Sequence, residues 1–281
     1  MKNMRPADHR EEKIRPASVA GVFYPADPGE LARMIAGMLH GKEGERDSPV
    51  RGIIAPHAGY PYSGPTAALA YEKLSKGEYD VAVVVAPSHR EFFEGVSVYD
   101  GDAYATPLGS VPVDCDLRAA LCSAAPFVHV SGNGHGPEHA VEVHIPFLQS
   151  VLGDFSLLPL VIGHQTPGTC CALGEALGTL LQGRKALLVA STDLSHFHVD
   201  REAREIDRVM IGDVKAFDPS GLMLHIAEGT AEACGGGPVV AVMTALKVLG
   251  ASRLEVVGYA TSGDVTGDRN RVVGYMSAVA Y

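Results

Sequence analysis

Three apolar runs punctuate the chain without alternating with polar residues: Arg51–Ala55, Asp80–Ala86 and Lys185–Ala190. Short, Val- and Leu-rich runs of this kind predict strands buried on both faces of a parallel sheet. Phe155–Ile162 reads the same way. Between these runs the pattern changes to helical spacing. Helices are predicted over Asp27–Leu39, Ser63–Leu74, Asp114–Ala124, Glu142–Leu152, Thr169–Leu181, Arg201–Phe217, Pro219–Glu228 and Pro238–Leu249. Asp27 or the Pro28-Gly29 step opens the first, and Ser63 caps the second with Pro65 in its first turn. Glu94–Thr106 predicts short strands or a hairpin; Phe127–Val130, Leu254–Ala260 and Val272–Val279 predict further strands. Ser131–His139 is a loop rich in Gly and His, and Gly41–Ser48 a charged loop. The alternation of strands and helices predicts an α/β fold with a central mixed, mostly parallel sheet flanked by helices. No repeat or long linker divides it, so residues 15–281 are expected to form one domain behind a frayed polar tail, 1–14.

Composition narrows the function classes. The chain has 281 residues, 46% hydrophobic, enough for a sizeable core. A formal net charge of −10 disfavours binding to nucleic acid or to an anionic membrane. No apolar run approaches the roughly 18 residues of a membrane span, and the polar N-terminus lacks the apolar stretch of a secretory signal. Cys115, Cys122, Cys170, Cys171 and Cys234 are too few for a disulfide framework and read as intracellular thiols, with Cys170-Cys171 in core or surface roles. A cytoplasmic location is expected.

The ends of the apolar runs carry the chemistry. The first reaches His57 through Ala55-Pro56, the second reaches His89 through Ala86-Pro87-Ser88, and the third reaches Asp193 and His196. Proline ends a strand ladder, and ligands in open α/β sheets sit at the carboxyl ends of strands. If the three strands are neighbours, these groups converge; otherwise His57 and His89 are unrelated loop residues. Cys234, in Ala233-Cys234-Gly235-Gly236-Gly237-Pro238, precedes a predicted helix whose N-terminus favours thiolate. It reads as a metal ligand, a nucleophile or a small residue at a glycine turn. His139-x-x-Glu142-x-His144 lacks zincin spacing and suits supporting or acid/base roles. Glu138 there reads equally as a helix cap with solvated charge. Asp193 could fix one tautomer of His196, or cap a helix. His135 and His198 read as ordinary loop residues, and His164 as structural. Phosphate-binding glycine loops and the Gly-x-Ser-x-Gly elbow are absent.

Taken together, Ala55-Pro56-His57-Ala58-Gly59-Tyr60, Ala86-Pro87-Ser88-His89, Glu138 to Pro146, Ser191 to His196 and Ala233-Cys234-Gly235 resemble the Memo family, also called AmmeMemoRadiSam system protein B. Gly21-Val22-Phe23-Tyr24 and Val273-Gly274-Tyr275 fit as well, so the resemblance spans the chain from about Arg15. It implies a fold like that of the class III extradiol dioxygenases, which are non-haem iron enzymes. It also implies metal ligation by His57, His89 and Cys234, with catalytic roles for His196, Asp193 and His144 beside them. A cysteine stands where the dioxygenases place a carboxylate. Thiolate is softer and favours copper(I) or zinc, and it also binds iron. The resemblance thus implies a metal-dependent oxidoreductase holding iron(II) or copper, with zinc third, acting on a small molecule of unknown identity. A hydrolase or transferase with Cys234 as nucleophile is the alternative. Another is a non-catalytic metal-binding partner of AMMECR1-like and radical SAM proteins.

Overall fold

The computed structural model describes residues 12–39 and 49–281. Most of the expected tail and the charged loop at 41–48 lie outside the described residues. In chain order the elements are β1 (Ile14–Arg15), α1 (Pro28–Met38), β2 (Gly52–Ala55), α2 (Tyr60–Tyr71), β3 (Val81–Pro87), β4 (Val96–Tyr99), β5 (Ala103–Thr106) and β6 (Gly109–Pro112). Next come α3 (Cys115–Ala124), β7 (Val128–Ser131), a 3-10 turn (Glu142–His144), α4 (Ile145–Leu152), β8 (Ser156–Ile162), α5 (Pro167–Leu180) and β9 (Ala186–Ser191). The chain closes with β10 (His196–His198), α6 (Asp200–Ala216), α7 (Pro219–Ala227), α8 (Gly236–Val248), β11 (Leu254–Thr261), α9 (Ser262–Thr266) and β12 (Val272–Ala280).

One large sheet runs in the order β10-β12-β2-β9-β3-β8-β4-β7, with β11 also paired to β12. Its centre, β2-β9-β3-β8, is parallel, and β12 and β4 flank that centre antiparallel. A small sheet, β1-β5-β6, lies apart. The fold is a single α/β domain with mixed sheets. The apolar runs fail to alternate because both faces are covered. Val83 and Val85 of β3 join a core with Leu173 and Leu177 of α5 and Val239 to Leu246 of α8. Ala82 and Val84 face the other way, into a core with Leu31, Tyr71 and Leu148 from α1, α2 and α4. Fully burying a Val or Leu side chain contributes about 1.5–3 kcal/mol.

The elements follow their local signals with instructive shifts. Asp27, Asp114 and Thr166 cap α1, α3 and α5 through their side chains. Helix α2 starts at Tyr60, not after Ser63, and takes Pro65 inside. Tertiary structure sets that start: the Tyr60 amide donates to Phe23 O at 2.8 Å and its ring is buried. Ser63 instead donates its hydroxyl to Ala58 O. Glu94–Thr106 splits between two sheets rather than forming one hairpin, the hairpin being β5-β6. Among the described residues no helix is long and apolar enough to cross a membrane.

Helices α5 and α8 pack closely where α5 carries Gly174. A Cβ there would lie 2.5 Å from Ala241 O and from Thr244 Cβ. Gly174→Val is therefore expected to lower stability by about 1–3 kcal/mol through overpacking. A urea midpoint lowered with unchanged slope would show it.

Candidate metal centre

β9 lies between β2 and β3 and parallel to both, with Ala55 beside Ser191 and Val85 beside Ala190. Their carboxyl ends therefore open on one edge of the sheet. His57 leaves two residues beyond β2, Asp193 two beyond β9, and His89 two beyond β3. Cys234 arrives from the α7–α8 connection. Its loop is stitched to the end of β9 by the Gly235 amide on Thr192 Oγ1 (3.0 Å) and the Cys234 amide on Asp193 O (3.3 Å). Gly235 permits this approach, because a Cβ there would collide with the Ser191 carbonyl. One donor atom each from His57, His89 and Cys234 lie within 4.8 Å of one another. Cys234 Sγ is 3.1 Å from His57 Nε2, and the two imidazoles meet edge-on with centroids 5.0 Å apart.

Hydrogen bonds fix which nitrogens face the pocket. Ser191 donates its single hydroxyl proton to Ala140 O (2.7 Å), so at 2.7 Å it accepts from His57 Nδ1–H. That leaves a lone pair on His57 Nε2. Glu138 accepts from the His89 ring Nδ1 (2.9 Å) and from the His89 amide (2.6 Å). The His139 and Ala140 amides add two more bonds to the same carboxylate. Burial pushes Glu138 upward, but the bonds and charge of His89 and the amides outweigh it and hold it down to about 2. An ionised Glu138 therefore keeps the proton on His89 Nδ1 and frees Nε2. Carboxylate–histidine pairs of this kind orient metal ligands. The donor set fits a transition-metal ion. His57, His89 and Cys234 would hold such an ion through one donor atom each, with the part-exposed His89 on the solvent side.

Cys234 departs from the sequence expectation. Burial first, then the neighbouring Asp193, pushes its thiol upward and outweighs the hydrogen bonds from Asp193, Thr192 and Gly235. A thiolate here needs a cation beside it. His57 is driven well below the usual imidazole range by burial and by its neighbours His89, His139, His144 and His196.

The other expected residues spread around this centre. Asp193 is buried; burial raises it to about 7 against the pull of the His57 and Ala58 amides. Its carboxylate accepts from the His57 amide at 2.8 Å, so it braces the His57 loop rather than the His196 ring. His196 is half-buried and close enough to His57 and His89 for the rings to influence one another. His144 is buried, with Nδ1 bonded to Tyr71 OH (2.8 Å) and Nε2 without a partner among the described residues. His139, expected in a supporting or acid/base role, stacks on His89 at 4.8 Å and meets His57 edge-on at 5.3 Å. His135 is no ordinary loop residue: it is buried and bonded to Tyr104 OH. His198 pairs with Glu232, and the part-exposed His164 with Glu94. Cys170 is buried core, and all five cysteines are free.

The sequence model described as Memo-like protein matches residues 15–279. The chain belongs to the Memo-like family. A MEMO1 family protein of Methanothermobacter thermautotrophicus is 39% identical over 272 residues, 93% of this chain and 98% of that relative. A MEMO1 family protein of Methanopyrus kandleri is 36% identical, covering 94% and 98%. The crystal structure of an uncharacterised Escherichia coli K12 protein aligns with a TM-score of 0.48 at 17% identity, covering 82% of this chain and 99% of that one.

Three residues that build this Memo-like site escape local reading. Glu138 looks like a helix cap until the unused nitrogen of His89 is asked for a partner. Ser191 looks like a strand end. Arg15, the third, is 4% exposed and paired with the fully buried Glu142 at 2.6 Å. Its guanidinium also donates to the carbonyls of His135, Gly136 and Glu138. Glu142 accepts further from the Ser18 and Val19 amides and from Tyr24 OH. Arg15 thereby holds the loop that aims Glu138 at His89.

Arg15→Met would leave Glu142 buried without its cation, at a cost of about 3–5 kcal/mol. Denaturant unfolding would measure that loss, and retained stability would show that the clamp is dispensable. A second expectation concerns pH. Burial lowers both His135 and His144 to about 3, from a usual value of 6.5. Between those values the unfolded chain binds protons that the folded rings refuse, so the stability these two rings contribute falls as pH drops below about 6.5, against an opposite contribution from the raised Asp193. Urea midpoints at about pH 7 and about pH 5 should differ accordingly, and His135→Asn should flatten the slope.

Proposed function

We propose that this chain binds one transition-metal ion through His57 Nε2, His89 Nε2 and Cys234 Sγ, and uses it as an oxidoreductase on a small molecule. The observation that carries the reading is that Ser191 and Glu138 occupy the Nδ1 sides of both histidines, leaving the Nε2 atoms free, while one donor atom each from His57, His89 and Cys234 lie within 4.8 Å of one another. Iron(II) or copper suits the reading best, with zinc third, because imidazole and thiolate accept all three ions and only iron and copper supply redox chemistry. A bound iron or copper ion supplies one-electron redox chemistry and Lewis acidity. The protein supplies the rest. Glu138 holds the His89 proton away from the pocket. Asp193 braces the His57 amide, which keeps the ligand loop in place. His196, on the rim, takes or returns a proton. His144 offers its unpartnered Nε2 to a polar atom of a bound molecule. The extradiol-dioxygenase-like fold that the Memo resemblance implies supports oxygen chemistry, although the cysteine in the donor set keeps ring-opening itself from transferring directly.

One observation favours a second reading. Cys234 Sγ and His57 Nε2, 3.1 Å apart, have the spacing of a nucleophile and its base. Against it, the thiol's raised proton affinity makes the metal-free thiolate scarce.

Metal content after anaerobic purification separates the two. Wild-type protein is expected to hold near one iron or copper per chain, with Cys234→Ser and His57→Asn falling to about a tenth or less. Glu138→Gln should weaken metal affinity about 10–100-fold, since it loosens His89 without removing a ligand. A chain that stays empty after reconstitution, with Cys234 alkylated rapidly whether or not metal is added, would establish the nucleophile reading instead.

A further inference from the structure

Between β9 and α6 the chain passes through Leu194–His198, a strap at the mouth of the metal centre. Phe197 in this strap has φ +66° and its side chain is 61% exposed. A left-handed conformation costs an ordinary residue about 1–2 kcal/mol, and an exposed ring recovers little of that by burial. Among the described residues the other non-glycine residue with positive φ, Phe217, follows the end of α6 and is buried, so its conformation is repaid by packing. The Phe197 ring instead meets the Arg271 guanidinium at 5.2 Å and His196 edge-on at 5.7 Å, and the residue sits at a bulge in the pairing of β10 with β12, between His196 opposite Val273 and His198 opposite Val272, so its conformation is set by the fixed segments on either side of it.

Both flanks of the strap are fixed. The Leu194 amide donates to Gly274 O (2.8 Å) and the Gly274 amide to Ser195 O (3.0 Å). On the far side His198 Nε2 meets Glu232 at 2.9 Å, and the Asp200 amide donates to Arg269 O. Asp207, from the middle of α6, is fully buried. One of its oxygens accepts the Ser195 amide at 3.0 Å and the other accepts Tyr259 OH at 2.7 Å. It rests directly on the backbone of Gly274, where a Cβ would collide with the carboxylate. A buried carboxylate is costly unless its bonds compensate. An apolar residue would pack this core at lower cost. What the carboxylate adds is a fixed Ser195 amide, one residue before His196.

We propose that Asp207 is a positioning residue for His196: it holds the strap in the strained shape that sends the His196 ring toward the metal centre and the Phe197 ring outward. The proposal rests on the reading of His196 as a proton-handling group of that centre.

The test compares Asp207→Asn, Asp207→Leu and Phe197→Gly in the full chain. Asparagine can still accept from Ser195 and donate to Tyr259; leucine keeps the branching with bulkier methyl groups and makes neither bond. Three readouts are followed: amide exchange at Ser195 to Phe197, the rate of His196 modification by diethylpyrocarbonate, and metal content. Asp207→Leu is expected to raise both rates at least tenfold at unchanged metal content, and Asp207→Asn to stay within about threefold of wild type. Phe197→Gly should raise Tm by about 2 °C with Asp207 present, and this gain should vanish in the Asp207→Leu background because the strap has already relaxed. Additive effects on Tm, with both rates unchanged in Asp207→Leu, would overturn the proposal and leave Asp207 a packing residue. If Asp207→Leu does not fold, Tyr259→Phe decides: faster exchange at the same amides supports the proposal, and unchanged exchange overturns it. Wild-type protein without metal would sink the metal reading while leaving the strap comparison intact.

Discussion

β9 runs between β2 and β3 in parallel register, and every donor in the pocket depends on that insertion. It brings the exits of three strands to one line, so that side chains far apart in sequence leave the sheet within two residues of each other's level. The Thr192 amide on Ala55 O, the His57 amide on Asp193 and the Ser191 hydroxyl on Ala140 O continue the lacing past the strand ends. A shift of one residue in any of these strands would turn its apolar side chains to the opposite core. The two cores on either face of the sheet therefore guard the geometry of the pocket.

The pocket also manages charge in an unusual way for a buried site. Five histidines lie near one another, yet burial keeps His57, His139 and His144 low in proton affinity, with His139 lowered to about 4 and His144 to about 3. Glu138 goes the other way and stays ionised because four donors converge on it. Lone pairs are thus gathered in the pocket without a matching gathering of protons. The net charge of −10 is a whole-chain property and says little about this local balance.

Much of this was legible in the sequence where local rules suffice. Proline after an unbroken apolar run marked the exits at His57 and His89, and the glycine turn before a helix marked Cys234. Helix caps at Asp27 and Asp114 needed only neighbouring residues. What escaped depended on partners distant in the chain. Ser63 has the chemistry of a cap, but the Phe23 carbonyl decides where α2 starts. Glu138 resembles a solvated cap until His89, 49 residues away, claims it. The strained φ of Phe197 has no signature in its own side chain, because the residues that enforce it lie on α6 and β12. Asp193 beside His196 suggested a pair by proximity, whereas the fold spends that carboxylate on the His57 amide.

The clamp made by Arg15 imposes an order of assembly. It joins residues 127 apart, and the thiol is a further stretch away, 177 residues beyond His57. A chain emerging from the ribosome presents Arg15 first, cannot seat it until Glu142 appears, and cannot complete the donor set until Cys234 follows. Such long closures carry a loop-entropy cost before any contact repays it. The two histidines exist long before the sulfur does, so an ion captured early in synthesis meets an imidazole-only site of different softness from the finished one. The softness of the candidate centre is in this sense tied to the completion of the fold.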